Sequence, residues 1–268
     1  MAQPAPEYRF TALVLAADRG PDDPVARAGG KRRKCLVEVA GVPMLERVLA
    51  ALSASPWIGR IAVSADEPEL LQGLASLESA LAEGRLIAVA SAASPSESVL
   101  AALETLQAPL PMLVTTADHA LLTTAMVDHF AAESRSAGAD VSVALTAADL
   151  VLGRYPGALR TFHRFRDGRY SGSNLFALLT PASLEGVRFW RRIERERKRP
   201  WRIAKSFGPR LLLGYLFRLW SLQQAVAAAG RRLGLRATAV SMPFAEAAID
   251  VDKPEDLELA ESILTGGG

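Results

Sequence analysis

The chain has 268 residues, 50% hydrophobic and 22% charged, with a formal net charge of +2. Such a composition belongs to a globular chain and excludes a disordered or fibrous one. Its single cysteine excludes an internal disulfide and fits a reducing compartment, so a cytoplasmic location is expected.

The opening MAQPAPEYRF lacks the apolar core of a signal peptide. No later run approaches the roughly 18 apolar residues of a spanning helix. FTALVLAA (10–17) is an apolar run of the kind that parallel sheets bury. PMLERVLAALSAS (43–55) carries apolar residues at helical spacing, RIAVSA (60–65) reads as a strand and PELLQGLASLESAL (68–81) as a helix. RLIAVAS (85–91) and ESVLAALETL (97–106) repeat that strand and helix order. PMLVTTAD (111–118), TAMVDHFAAES (124–134) and DVSVALT (140–146) add a strand, a helix and a strand. The alternation predicts an α/β fold, a three-layer open and mostly parallel sheet with helices on both faces.

After residue 146 the rhythm changes. RTFHRFRDGRYSGSNLFAL (160–178) reads as two strands joined at Asp167-Gly168, a hairpin signal. Residues 181–233 read as a largely helical, basic arm inserted before the last strand. RATAVSMPFAEAAIDVD (236–252) reads as strand, and PEDLELAESIL (254–264) as the closing helix. One domain spanning 1–268 is expected.

Ligands of open α/β sheets sit at the carboxyl ends of strands. The stretch after the first strand, DRGPDDPVARAGGKRRK, is charged and bears glycines. Backbone N–H groups of such a loop can cradle phosphates, with Arg and Lys adding charge. Neither Walker spacing nor the dinucleotide glycine triplet is present.

These residues resemble the nucleoside triphosphate transferases of the molybdenum-cofactor guanylyltransferase (MobA-like) type. That family opens with a strand, L-A-A-G-x-G-x-R, then P-K and an apolar segment with G-x-P-M. Here the corresponding stretches are LVLAADRG, Arg27, Arg33-Lys34 and LVEVAGVPMLERVL. Arg27 precedes Lys34 by seven positions, as in the family. LVTTADHALLT (113–123) is similar to the family's strand-end aspartate motif, and IDVDKPEDLELAESIL (249–264) to its V-D-T-P-E-D-L element. SESVLAAL (96–103) resembles the stretch beside the base in cytidylyltransferases of isoprenoid synthesis. Two positions depart from the pattern: Asp18 stands where the family has glycine, and Arg33 where it has proline.

The resemblance implies a GT-A-like (Rossmann-like) nucleotidyltransferase fold. It implies an Mg²⁺-dependent transfer of a nucleoside monophosphate, CTP or GTP favoured, to a phosphorylated small-molecule or lipid-linked acceptor, with release of pyrophosphate. Lys34 would stabilise charge at the α-phosphate and Arg27 would hold the β and γ phosphates. Ala16, Ala17, Asp18, Arg19 and Gly20 would form the nucleotide loop, with Ser98 at the base. Asn174 would bind the acceptor. Asp118 and Asp252 would hold Mg²⁺, with Asp250 behind them. In an extended IDVD, the period of two places Asp250 and Asp252 on one face.

Structural roles compete with several of these. Asp118 could cap the following turn. Asp252 could cap the last helix, with Glu255 three residues on and proline in the first turn. Ser98 could be an ordinary first-turn serine, Asn174 a strand terminus, and Lys34 one of a solvated KRRK cluster. In an extended segment Cys35 points away from Lys34 as a buried small hydrophobe. His119, His129 and His163 show no metal-ligand spacing. Rival functions are a GT-A glycosyltransferase using a nucleotide sugar, although TADHA lacks its D-x-D, and a non-catalytic nucleotide-binding protein.

Charge is uneven. Residues 188–210 hold ten basic and two acidic residues, a net +8, so the rest of the chain carries −6. Three of the four tryptophans, Trp190, Trp201 and Trp220, lie in 188–220. The pattern suits a lid, a homodimer contact, or a peripheral segment on an anionic membrane. Nucleic-acid binding is not expected, because no reading motif is present.

Overall fold

The computed structural model describes residues 9–17, 22–67, 83–107, 109–196, 213–214 and 217–266. Asp18, Arg19, Gly20, the helix expected at 68–81 and residues 197–212 of the arm lie outside them.

Among the described residues the main sheet holds eight strands. They are β1 (Phe10–Leu15), β4 (Ile58–Ala65), β5 (Leu86–Ala90), β6 (Met112–Thr116), β7 (Val141–Ala147), β8 (His163–Phe165), β9 (Gly168–Leu178) and β10 (Ala237–Ser241). Their order is β10-β7-β9-β6-β1-β4-β5, with β8 paired to β9. β1 pairs in parallel with β4 and β6, β4 with β5, and β10 with β7. Only β9 is antiparallel to both its neighbours in that order, β6 and β7. A two-residue hairpin, β2 (Glu38–Val39) and β3 (Val42–Pro43), stands apart.

The strands are apolar on both sides because both faces are covered. Ala12 and Val14 of β1 face one layer, where Leu45, Leu49 and Leu52 of α2 (Met44–Ser53) meet Phe130 of α4 (Thr124–Ser136). Leu13 faces the other layer, with Val99 and Leu103 of α3 (Pro95–Thr105) and Val187 of α6 (Ser183–Glu196). Each fully buried large side chain contributes about 1.5–3 kcal/mol. The three-layer, mostly parallel α/β sheet read from the sequence is therefore present.

Three expectations need correction. The glycine-bearing stretch after β1 is not all loop: α1 (Pro24–Ala28) forms in it, capped by Asp23, whose carboxylate accepts from Val25 N–H at 2.9 Å and Ala26 N–H at 3.2 Å. Asp before Pro is an N-terminal helix signal. Lys34–Leu36 is one 3₁₀ turn rather than an extended segment, so the geometry assumed for Cys35 does not apply, although Cys35 is buried. The strand expected over 236–252 ends at Ser241, and Ala245–Ala248 is a second 3₁₀ turn.

The remaining helices are α5 (Ala148–Arg154), α7 (Leu222–Arg232) and α8 (Pro254–Leu264). The hairpin signal at Asp167-Gly168 joins β8 to β9, with Phe165 opposite Gly168. In the described part of the arm, Trp190 stacks on Phe176 with ring centroids 5.9 Å apart.

Candidate active site

β1 and β6 are parallel neighbours, so their carboxyl ends open at the same edge of the sheet. Asp118 follows β6 by two residues, and Ala117 N–H donates to the Leu15 carbonyl at 3.0 Å, locking the two strand ends together. Val251 N–H donates to the Asp118 carbonyl at 3.0 Å. That bond lays the 249–252 segment alongside the end of β6. Ile249 and Val251 are fully buried, which leaves Asp250 and Asp252 to carry the polar side.

The 3₁₀ turn brings Lys34 to the same place. Its Nζ donates to Asp118 Oδ2 at 2.6 Å and to Asp252 Oδ1 at 3.0 Å. Burial disfavours the charged ammonium, but Asp118 and then Asp252 outweigh it and raise the Lys34 pKa above the ordinary value. The other oxygen of Asp118, Oδ1, is buried and has no hydrogen-bond partner among the described residues. A cavity of about 210 Å³ opens here, with Ala16, Ala17, Asp23, Thr116 and Pro95 in its wall beside Lys34 and the two carboxylates. A larger hollow of about 730 Å³ lies elsewhere, between α2 and residues 120–124, and none of these charged groups reaches it.

Neither carboxylate is spent as a helix cap. Asp256 takes that task, with Oδ2 accepting from Asp252 N–H and Lys253 N–H, both at 3.0 Å. The capping box read for Asp252 and Glu255 does not form: α8 begins at Pro254 with Lys253 as its cap position, and only the Asp256 half of such a box is made.

Behind Asp252 lies a network that the sequence did not announce. Arg160, from the loop before β8, donates to the Asp250 carboxylate, to the Asp250 carbonyl and, at 3.1 Å, to Asp256 Oδ1. Asn174 Nδ2 donates to Asp250 Oδ2 at 2.7 Å. Asn174 has φ of 45°, a left-handed conformation that asparagine tolerates better than most residues. Burial pushes the Asp250 carboxyl up to about 6 against the pull of Arg160, and Asp118 and Asp252 add to the rise. His119, fully buried, has its pKa lowered to about 4 by burial and is neutral at pH 7. No sequence spacing marked Arg160; Asp23 before Pro24 was a readable cap signal.

The other expected residues lie apart from the cavity wall. Arg27 sits on α1 and pairs with Asp22 at 2.9 Å, both well exposed. Ser98 is buried, and its hydroxyl accepts from Ala92 N–H at 2.9 Å. Asn174 is engaged by Asp250. Arg33, where the family has proline, donates to Asp66 at 3.2 Å and Glu67 at 2.7 Å, tying the segment before Lys34 to the end of β4.

The model of the MobA-like NTP transferase domain matches residues 12–196. The chain belongs to this family. The MobA-like match spans the first strand, the Lys34 turn and Asp118, and identifies the protein as an enzyme of the nucleotidyltransferase class. A hypothetical transferase from Thermus thermophilus is 29% identical, with a TM-score of 0.75 over 93% of this chain and 99% of that one. A 4-diphosphocytidyl-2C-methyl-D-erythritol synthase from Anaerococcus prevotii superposes at 0.61, 13% identical over 97% of each chain. A CMP:2-keto-3-deoxy-manno-octonic acid synthetase, solved with CTP, superposes at 0.59, 11% identical over 97% of this chain and all of that one. The last two likenesses are of fold. Comparison with curated protein sequences finds no match.

Proposed function

We propose that this MobA-like enzyme transfers a nucleoside monophosphate from an NTP, with CTP favoured over GTP, to a phosphorylated acceptor and releases pyrophosphate. The observation that carries the reading is Lys34 between Asp118 and Asp252 at the joined ends of β1 and β6. The fold likeness to two enzymes named for cytidylyl chemistry, one of them solved with CTP, supports the choice of nucleotide.

Nucleotidyl transfer asks for position and charge rather than a protein nucleophile. An oxygen of the acceptor's phosphate attacks the α-phosphorus, the bond to the bridging β-phosphate oxygen breaks, and pyrophosphate leaves with that electron pair. Lys34, held charged by its carboxylates, lines the cavity, and its role would be to stabilise the negative charge that builds at the α-phosphate. Arg27 lies outside the cavity wall, and to hold the β and γ phosphates it would have to leave Asp22, an exposed pair that holds it weakly.

Asp118 and Asp252 fit Mg²⁺. They offer hard oxygen donors, and Asp118 Oδ1 is a buried acceptor with no hydrogen-bond donor among the described residues. Among the described residues no group of three or more His, Cys, Asp or Glu could hold a metal by itself. The donor set suits an ion that takes the rest of its ligands from phosphates and water, as Mg²⁺ does. When bound, Mg²⁺ would neutralise phosphate charge.

The test is a pyrophosphate-release screen of the four NTPs against pooled phosphorylated sugars, polyols and alcohols, with and without EDTA. EDTA-sensitive release with one NTP and a phosphorylated pool is expected. Activity only with a nucleotide sugar would overturn the reading.

A further inference from the structure

The apolar side chains that this enzyme leaves in water are not scattered evenly. Among the described residues, Leu213, Phe217 and Leu219 are exposed within seven positions, Phe217 at 69% and Leu219 at 57%. Between the last two stands Arg218, exposed and at φ of 54°. The turn is fixed to the hairpin tip. Arg166 N–H donates to the Trp220 carbonyl at 2.9 Å, and Leu222 N–H to the Asp167 carboxylate at 2.9 Å. Leu219 N–H donates to the Gly214 carbonyl at 2.8 Å, and Ser221 caps α7. A turn held at both ends displays its apolar residues outward as a built feature.

Beside it lies a recess of about 320 Å³ lined by Arg166, Leu219, Trp220, Gln224 and Arg231. Two arginines and one tryptophan line it, and among the described residues no acidic one does. Arg232 stands exposed next along α7. The sign continues in the sequence, where residues 188–210 carry a net +8. Guanidinium groups match phosphate oxygens in pairs, and an indole sits well at a boundary between water and hydrocarbon.

We propose that this cationic and apolar tip, residues 213–214 and 217–222 with Arg166 and Arg231, seats the enzyme on an anionic phospholipid surface. Phe217 and Leu219 enter the headgroup boundary while Arg166, Arg218 and Arg231 meet lipid phosphates. Charge complementarity selects the occupant: apolar side chains flanked by Arg166, Arg218 and Arg231, with the Asp167 carboxylate engaged by Leu222 N–H, are complementary to an anionic bilayer, whereas a second copy would bring the same cations against them. No helix among the described residues is long and apolar enough to cross a membrane, so the contact lies on the surface. The proposal is independent of which NTP or acceptor is used.

The test is co-sedimentation of the full chain with vesicles of phosphatidylcholine alone and of phosphatidylcholine with phosphatidylglycerol, at low and high salt. Binding to the anionic vesicles alone, lost at high salt, is expected. Phe217→Ser with Leu219→Ser, and Arg166→Glu with Arg231→Glu, should each weaken that binding about tenfold or more. Thermal melting shows whether the variants fold. Hydrogen exchange of the wild type should also slow at residues 217–222 when anionic vesicles are added. The proposal is overturned if the wild type ignores anionic vesicles at low salt, or if folded variants bind them as well as it does. It is equally overturned if exchange at residues 217–222 is unchanged, or if the variants only convert a lipid-free dimer into monomers.

Discussion

Lys34 and Asp118 are 84 positions apart in the chain and meet at 2.6 Å. The meeting depends on two parallel strands, one 3₁₀ turn and the backbone bond from Val251 to Asp118. Lys34 also donates to Asp252 Oδ1 at 3.0 Å, so one ammonium joins two carboxylates. On the proposed reading, nucleotide binding would be an exchange of partners, with lysine passing to phosphate and the carboxylates to Mg²⁺.

Lys34→Ala should lower turnover by roughly 10²-fold or more, the loss typical of a missing charge stabiliser. The variant should stay folded, because Lys34 lies on the cavity wall and not in the core. Steady-state kinetics with the NTP found by the pyrophosphate screen, together with a thermal melt, checks this. An unchanged kcat refutes the role given to Lys34.

Asp118→Asn and Asp252→Asn should each reduce kcat/KM by about 10²-fold or more and weaken the Mg²⁺ dependence of nucleotide binding. If both serve one ion, the double variant should lose much less than the sum of the two free-energy changes. Calorimetric titration of nucleotide with and without Mg²⁺ reads the effect apart from turnover. Simple additivity would separate the two carboxylates into different tasks.

Arg160→Met should remove the positive partner of both Asp250 and Asp256, leaving buried carboxylates uncompensated. A loss of about 3–5 kcal/mol in unfolding free energy is expected by urea denaturation. Arg160 acts through Asp256, which orders the Asp252 backbone, so a variant that still folds should lose more in kcat than it gains in KM. Arg160→Lys should restore part of the stability and little of the turnover, since lysine cannot span both carboxylates.

Acid stability has an identified source at Asp140, far from the cavity. Hydrogen bonds from the Arg236 side chain and backbone hold its carboxyl at about 2, and Thr180 Oγ1 donates to it at 2.8 Å. The folded pKa lies below the unfolded value of about 3.9, so this stabilisation is complete above about pH 4 and is lost as pH falls toward 2. Asp140→Asn should cost about 1–2 kcal/mol near neutral pH and almost nothing below pH 2. Urea midpoints measured across that range check the sign, and a deficit constant with pH would contradict it.

The sheet was legible because its strands are continuous apolar runs and its helices show helical spacing, as in FTALVLAA and PMLERVLAALSAS. The placement of Lys34, Asp118 and Asp252 was legible through family resemblance and the strand-end rule. The short turns were not. Lys34–Leu36 and Ala245–Ala248 are single 3₁₀ turns, too short for periodicity to mark. Asp252 read as a cap because Asp-Lys-Pro-Glu has the right letters; the cap fell to Asp256 once Lys253 took the boundary position. Arg160 was invisible because its partners lie 90 and 96 positions away and no local pattern records that distance. The exposed apolar tip was legible only as composition, since sequence alone does not show which way Phe217 and Leu219 face.

The most direct measurement is a crystal structure of the wild type with Mg²⁺ and a non-hydrolysable CTP analogue. The expected result has the triphosphate in the cavity beside Ala16 and Ala17, and Lys34 moved from Asp118 to the α-phosphate. The ion should lie within about 2.1 Å of a carboxylate oxygen of Asp118 or Asp252, or about 4 Å through a water. A nucleotide bound elsewhere, or an ion more than about 5 Å from both carboxylates, would contradict the assignment of this site.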